Sequence, residues 1–587
     1  MDSNRVVIVG GGPAGLTAAY QLVKLGRPVV VLEKHPIVGG LARTEDYKGF
    51  CFDIGGHRFF TKVEEVNRMW QEVLGEDFLR RPRLSRIYYN RRFFHYPLRP
   101  VNALIGLGLW QSLLIVLSYL KWQILPHPRE ETFEQWVTNR FGRRLFQTFF
   151  KTYTEKVWGI PCSELRAEWA AQRIRGLSLK TALLSMFLRP KTTIKTLIDE
   201  FHYPRLGPGM MWEAVKGKIE QSHGTVELNV EVLSIQRESD SIRRMVVANQ
   251  GRQEIIEGSA FISSIPIGEF LKKLDPPPPP RILDAAGRLR YRDLLVVCLI
   301  VRQPTLFPDN WIYVHEPEVE VGRIQNYKNW SPDMVPDPSK TSLGLEYFCT
   351  RGDDLWRRSD MELLDQGKRE LALIGLARLE DVEDGCVLRI PYAYPVYDAD
   401  YRANLALVRE FVEGFKNFQT IGRNGLHRYN NQDHAMLTGM LAARNLVLGE
   451  RNDLWSVNTE QEYHEEALLE TKVLEEALSR VFLKLDRIAF GAAVGLVSGV
   501  SLFLATLWLV IKGGEVVGPT LHLLHHYFPG YTVSATGSAI GLGYGLATGF
   551  IGGWLFAFLR NALMFLYLTR AYRKAQRGLL RRFFDYT

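Results

Sequence analysis

Arg5-Val6-Val7-Ile8-Val9-Gly10-Gly11-Gly12-Pro13-Ala14-Gly15 reads as a short apolar strand, a glycine turn, and the start of a helical pattern that runs through Leu25. Glycine at 10, 12 and 15 in this strand–turn–helix setting is a dinucleotide-binding fingerprint. Gly10 makes the turn, Gly12 admits a pyrophosphate to the backbone, and Gly15 lets the helix close on the strand. Pro13 and Ala14 open the helix, whose free N–H groups and positive dipole end face the phosphates. A second strand, 28–32, ends in Glu33, 18 residues after Gly15, where a carboxylate accepts ribose hydroxyls; Lys34 is adjacent. The stretch predicts an α/β protein with a Rossmann-type domain.

The rest of the chain bounds what that domain belongs to. At 587 residues it is too long for one ordinary domain. With 46% hydrophobic and 23% charged residues it is not a disordered, collagen-like or coiled-coil chain. The net charge of +9 is too small to argue for nucleic acid unless concentrated. Five cysteines are scattered without CxxC or metal-ligand spacing, so neither a disulfide scaffold nor a metal site is expected. Residues 6–9 are a buried-strand pattern rather than a charged-then-apolar leader, and the catalytic part is expected in the cytoplasm.

The C-terminal end is strongly apolar. Residues 488–511 and 533–559 are runs without a charge, and the shorter is roughly 36 Å long as a helix, enough to cross a hydrocarbon core. Each carries glycine at every fourth position: Gly491, Gly495 and Gly499, then Gly537, Gly541, Gly545, Gly549 and Gly553. A bare stripe of that kind lets helices approach closely in lipid. Seven basic residues after 559 face a single acid, Asp585. The positive-inside bias therefore predicts a multi-pass hairpin in the inner (cytoplasmic) membrane, both chain ends cytoplasmic, with membrane lipids as partners. A third apolar stretch, 101–120, follows an arginine and aromatic cluster. A helix lying in the interface is the favoured reading, and a buried helix of the soluble part the competing one.

Further motifs carry a family resemblance. Gly39-Gly40-Leu41-Ala42-Arg43 resembles the second glycine-plus-arginine element of the flavoprotein group that contains amine oxidases, protoporphyrinogen oxidase and UDP-galactopyranose mutase. Phe261-Ile262-Ser263-Ser264-Ile265-Pro266 looks like that group's strand returning to the nucleotide-binding sheet, after period-2 strands over 226–235 and 245–249. Three stretches resemble UDP-galactopyranose mutases of the eukaryotic type. They are Asp53-Ile54-Gly55-Gly56-His57, Tyr153-Thr154-Glu155-Lys156-Val157-Trp158-Gly159 with Trp169-Ala170-Ala171-Gln172-Arg173, and 422–434, which runs into a helix from about Ala435.

The resemblance implies FAD as cofactor, held by the glycine turn, Glu33, Lys34, Gly40, Leu41 and Arg43, with Gly55, Gly56 and His57 on the flavin side. Gly422, Arg423, Asn431, Gln432 and Asp433 would close over its ring system. It also implies a substrate site. Arg173 and Arg323 would hold the sugar phosphate as catalytic residues beside His57, with Tyr313, Tyr394, Tyr429 and Trp158 contacting substrate. Arginine offers phosphate a charged planar fork, and tyrosine a neutral donor on a rigid ring. After His95-Tyr96-Pro97 the family carries polar residues that seat uridine, whereas here Leu98-Arg99-Pro100 opens the apolar stretch, so Arg99 would face a different substrate end.

The implied chemistry is a pyranose–furanose interchange without net redox change. Reduced flavin N5 attacks the anomeric carbon, phosphate leaves, and the sugar recloses through another hydroxyl. With the hairpin, this predicts a membrane-bound mutase for cell-surface glycan synthesis, its sugar carried on a polyprenyl phosphate. The same mutase on a nucleotide-linked (UDP) sugar, and an FAD-dependent oxidoreductase of a lipophilic substrate, stay open, as does a scaffold with a vestigial flavin site. A flavin reductant is implied, and a homo-oligomer is compatible with the sequence. The organisation expected is a discontinuous FAD domain (1–62, 203–268, 405–450) with a helical insert (63–202) and a mixed-sheet insert (269–404). A connector (451–487) and the hairpin with its basic tail (488–587) complete it.

Overall fold

The computed structural model describes residues 4–96, 98, 100–167, 200–458, 485–513 and 518–584, the last helix by its backbone alone from 564. They fall into two compact units, Met1–Ala467 and Leu468–Thr587.

The first unit is built on a five-stranded parallel sheet in the order Phe418–Thr420, Ala260–Ser263, Val6–Val9, Val29–Leu32, Thr225–Glu227. Val6–Val9 and Val29–Leu32 are buried throughout, because both faces of a parallel sheet are covered. Alternate residues go to opposite sides. Val6, Ile8, Val29 and Val31 meet the helices Pro13–Lys24, Gly209–Gln221 and Gln432–Leu448. Val7, Val9, Val30 and Leu32 meet an antiparallel meander and the helix Tyr401–Glu413. Gly439 has no room for a Cβ, which would sit 2.4 Å from the Ala14 carbonyl, so the last helix lies tight on the first.

The meander differs from the sequence expectation. Thr225–Glu227 joins the parallel sheet, and the antiparallel strands are Val230–Glu238, Ser241–Asn249 and Arg252–Glu257. Val226, Leu228, Val230 and Val232 alternate without a break across the point where the chain leaves the parallel sheet, and alternation cannot say where a chain changes sheets.

A seven-stranded sheet forms the second layer, in the order Val382–Pro395, Tyr291–Val301, Thr341–Cys349, Arg323–Asn326, Trp311–Val314, Ser85–Tyr89, Arg92–His95. Its last two strands come from the segment expected to be a helical insert. Phe78–Pro82 likewise pairs with Glu200–Pro204. Alternation is there, with Ser85 and Ile87 on one face and Arg86 and Tyr88 on the other, but the density of arginine hides it. The apolar stretch after this edge strand is two helices, Pro100–Leu107 and Leu109–Ile124, broken at Gly108 with φ +82°.

In the second unit, Arg487–Lys512 and Ala535–Leu563 are each long and apolar enough to cross a membrane. They lie against each other through their glycines. A Cβ on Gly545 would stand 2.6 Å from Gly499 Cα, one on Gly549 2.9 Å from Gly495 Cα, and one on Gly553 3.1 Å from Gly491 Cα. The backbone helix runs on without a break to Phe584, through the basic tail.

Candidate active site

At the nucleotide end, the two glycine elements are pressed backbone to backbone. Gly39 N–H donates to the Gly11 carbonyl at 2.8 Å, and a Cβ on Gly40 would stand 3.1 Å from Gly12 Cα. Gly10, at φ +101°, faces Ser264 Oγ where a Cβ would need to be, 2.4 Å away. Glu33 is buried, and its carboxylate accepts from the backbone N–H of Gly11 at 2.6 Å and of His35 at 2.9 Å. Arg43 donates to the Gly40 carbonyl at 3.0 Å and pairs with Glu45.

These residues line a cavity of about 510 Å³ that runs from Glu33 and Lys34, past Gly10, Gly12, Pro13, Ala14 and Gly40, to His57, Gly422, Arg423, Asn431 and Gln432. Gly15 lies behind it as a packing glycine, its Cβ position 2.0 Å from the Gly10 carbonyl. An elongated cleft fits FAD when a carboxylate stands at one end, a bare glycine backbone and helix N-terminus in the middle, and a second helix N-terminus at the other end. That second helix, Gln432–Leu448, begins at the Asn431 cap, three residues earlier than the sequence suggested.

A smaller cavity, about 160 Å³, continues from the first. Leu41, His57, Arg423, Asn431 and Gln432 wall both, and Gly55, Gly56, Arg58, Tyr313, Arg323, Gln325, Tyr394, Tyr429 and Asp433 wall the second. The Tyr394 and Tyr429 rings stack with centroids 5.7 Å apart and planes at 14°. The Arg423 guanidinium lies over both, 5.7 and 5.0 Å from their centroids, fixed by the carbonyls of Asn430 and Ala393 at 2.8 and 2.9 Å. Tyr313 meets Tyr96 and Tyr153, at 4.9 and 5.4 Å between centroids.

Arg323 is less free than its motif implied. Its Nε donates to Glu346 Oε1 at 2.9 Å, and its Nη2 pairs with Oε2 and reaches Tyr394 Oη at 3.3 Å. Glu346 is fully buried and also accepts from Gln325 Nε2 at 2.7 Å. A guanidinium has five N–H groups, and among the described residues the two on Nη1 have no acceptor.

His57 Nε2 lies 2.7 Å from the Ile54 carbonyl and is assigned as the donor. Burial, and then the nearby Arg423 charge, lower its pKa to about 4, so the ring is neutral at pH 7. Burial pushes the Asp433 carboxyl above the usual range. Behind His57, Asp53 bonds Tyr203 and Thr44 and is raised to about 7 by burial.

Two expected residues, Arg173 and Arg99, lie outside the described residues. Trp158 is repositioned: it is fully buried, walls neither cavity, and supports Tyr394 and Tyr429 from behind, with ring centroids at 6.4 and 6.0 Å. An indole at a helix end sealed by Gly159 serves the core as readily as a ligand. Sequence reasoning also missed Glu346, Gln325, Arg58 and Asp53. Glu346 carried a signal, being the only charge in the strand Thr341–Cys349, which is buried at every position. A lone carboxylate there requires a cationic partner.

Comparison with known proteins agrees with this geometry. Residues 13–447 match the family described as flavin containing amine oxidoreductase. Among solved structures, reduced UDP-galactopyranose mutase aligns with a TM-score of 0.67 at 22% identity, over 78% of this chain and 98% of that one. A CLA-producing fatty acid isomerase from P. acnes aligns at 0.51 and 16% identity, over 76% and 98%. These likenesses concern the fold. An L-amino acid oxidase of Crotalus durissus cumanensis is 37% identical over 113 residues, 17% of this chain and 23% of that protein. The chain spans about half the length, or far less, of the curated relatives it matches. With the match covering most of its length, this chain belongs to the flavin-containing amine oxidoreductase family and is an FAD enzyme.

Proposed function

We propose that the protein is a membrane-bound, FAD-dependent mutase that interconverts the pyranose and furanose forms of an activated sugar phosphate, carried on a polyprenyl phosphate, for cell-surface glycan synthesis. The observation that carries this reading is the second cavity, where one wall of the flavin cleft continues into Arg323, Tyr313, Tyr394 and Tyr429. An oxidase of an apolar substrate has no use for an arginine and three phenols, whereas a phosphate does.

Reduced FAD supplies, when bound, a nucleophile for the anomeric carbon. The chain's own residues do the rest. Arg323 Nη1 and the hydroxyls of Tyr394, Tyr429 and Tyr313 bind the phosphate oxygens. As the anomeric C–O bond breaks, the phosphate keeps the electron pair, and these donors stabilise the charge it gains. They also hold it close for the pair to be given back when the bond re-forms. Glu346 keeps the guanidinium in place. Neutral His57 adds no competing charge beside the ring system. The stacked tyrosines, backed by Trp158, exclude water, which would otherwise hydrolyse the sugar.

The carrier assignment is supported by Leu98-Arg99-Pro100 and the apolar stretch after it, which replace the polar residues that the resemblance leads one to expect, and by the two C-terminal apolar helices. In this reading the hairpin spans the inner membrane with both chain ends and the catalytic unit in the cytoplasm. A flavin reductant must act on the enzyme. Offering the reduced full-length protein a polyprenyl-phospho-hexopyranose and a UDP-hexopyranose separately tests the carrier. Furanose from the lipid-linked donor is expected, and furanose from the UDP-sugar alone would overturn the lipid assignment. The L-amino acid oxidase likeness favours a second reading, an FAD-dependent oxidoreductase, which with the apolar helices would take a lipophilic substrate and which stoichiometric oxygen or quinone consumption would reveal.

A further inference from the structure

The helix Leu109–Ile124 is amphipathic the wrong way round for a soluble protein. Its inner side presents Ser112, Ile115, Ser118 and Tyr119 to the helices Phe133–Phe141 and Arg143–Phe146. Ser118 Oγ accepts from Arg144 N–H at 3.2 Å, and Gln123 donates to the Asn139 carbonyl at 2.8 Å. The outer side carries Trp110, Leu113, Leu117, Leu120 and Ile124, between 48% and 76% exposed. Their spacing of three, four, three and four residues is one continuous stripe along the helix, roughly 21 Å long at 1.5 Å per residue. Ile105 and Leu125 extend it at either end. An apolar patch of this extent outside a fold marks an interaction surface.

The charge around the stripe indicates what covers it. Residues 78–129 contain nine basic side chains and no acidic one. Of these, Arg91, Arg92 and Lys121 are exposed. Exposed Arg143 and Arg144 follow on the neighbouring helix. Apolar residues bordered by cations fit a surface with an apolar interior and an anionic skin. The same chain carries two helices long enough to cross such a layer. We propose that the outer face of Leu109–Ile124, with Ile105, is a membrane-docking face that inserts into the headgroup region of an anionic bilayer, separately from the C-terminal hairpin.

This face is tied directly to the reaction cavity. Pro100–Leu107 sits on the edge strand Arg92–His95, where Asn102 Oδ1 accepts from His95 N–H at 2.8 Å. A Cβ on Gly106 would meet the Phe94 ring at 2.3 Å. The residue after that strand, Tyr96, has its ring against Tyr313 of the second cavity. Bilayer contact at the stripe would hold Tyr96, and through it Tyr313 of the cavity wall, close to the headgroups, where a lipid-borne phosphate group lies.

The full-length protein, reconstituted in vesicles containing one third phosphatidylglycerol and labelled with a lipid-phase diazirine, tests this by peptide mass spectrometry. Labelling of 109–125 is expected at a level comparable with 487–512 and 535–563, falling several-fold in vesicles of phosphatidylcholine alone. Leu113→Glu with Leu117→Glu should lose the label at 109–125 by at least five-fold while keeping the flavin absorbance. Label confined to the two C-terminal helices would overturn the proposal, as would cross-links joining the stripes of two copies. Should the double variant lose its flavin, the wild-type map decides alone. No sugar turnover enters the readout, so its failure and that of the mutase reading are separable.

Discussion

Arg323 and Glu346 stand directly opposite each other on neighbouring antiparallel strands and are joined by two parallel hydrogen bonds, one of them Nε to Oε1 at 2.9 Å. The carboxylate is wholly buried and the guanidinium faces the cavity. Removing either partner leaves a buried charge alone, which costs about 3–5 kcal/mol. Arg323→Ala and Glu346→Ala should therefore both lower the melting temperature and the activity, confounding fold with function. The double variant Arg323→Met with Glu346→Leu should recover most of the stability and none of the turnover. Thermal unfolding and product assay of the three variants separate the two roles.

The nucleotide cradle makes a sharper distinction. Gly40 has φ +54°, and its missing Cβ lies 3.1 Å from the backbone of Gly12, so Gly40→Ala strains the turn and pushes apart the two elements that hold the pyrophosphate. We expect a folded protein whose ratio of 450 nm to 280 nm absorbance falls at least five-fold. Glu33→Gln should keep the bond from Gly11 N–H and lose less.

Three buried histidines set an acid limit. His57 and His427 are lowered to about 4 and His315 to about 3, in each case chiefly by burial. In the unfolded chain these rings titrate near 6.5, so between about 6.5 and 4 the unfolded state binds more protons. The contribution of these rings to stability falls as pH is lowered through that window, by up to about 3 kcal/mol for each ring, while Asp53, raised to about 7 by burial, takes up its proton first in the fold and acts in the opposite sense. Melting temperatures of the wild type and of His315→Gln, compared from pH 7.5 to 4.5, isolate the ring: their difference should stay level above 6.5 and move against the wild type below it. A difference that is level throughout would show that His315 is charged in the fold.

In the C-terminal unit, Gly499 admits no side chain. Its Cβ would stand 2.8 Å from the Leu542 carbonyl, and a Cβ on Gly545 of the same facing helix would stand 2.6 Å from its Cα. Gly499→Leu should separate the helices, read as faster hydrogen exchange over 487–512, whereas outward-facing Leu504→Val should leave exchange unchanged.

How much of this was legible in the sequence depended on how local the cause was. Gly10, Gly12, Gly15 and Glu33 act within one strand–turn–helix unit, and their order along the chain is their order in space. The C-terminal glycines declared themselves by a four-residue period that only a close helix pair needs. Ser85–Tyr89 was missed because its partner Trp311–Val314 is over two hundred residues away, and its hairpin with Arg92–His95 because arginine crowds the alternation of both strands. Trp158 was misread for a related reason: an aromatic beside a substrate motif is seen in sequence, but the side from which it meets Tyr394 is a property of the fold. Glu346 was overlooked although a single carboxylate in an unbroken apolar strand foretold the cation it holds.

Isomerisation at constant redox balance tests the central claim most directly. The full-length protein, reduced with dithionite under nitrogen, would be given a polyprenyl-phospho-hexopyranose, and the released sugars analysed by NMR while flavin absorbance is followed. The account predicts many turnovers of furanose per enzyme with the flavin still reduced at the end, and loss of that turnover in the Arg323→Met, Glu346→Leu protein. One equivalent of flavin oxidised for each product formed, or no furanose from either a lipid-linked or a nucleotide-linked donor, would contradict it.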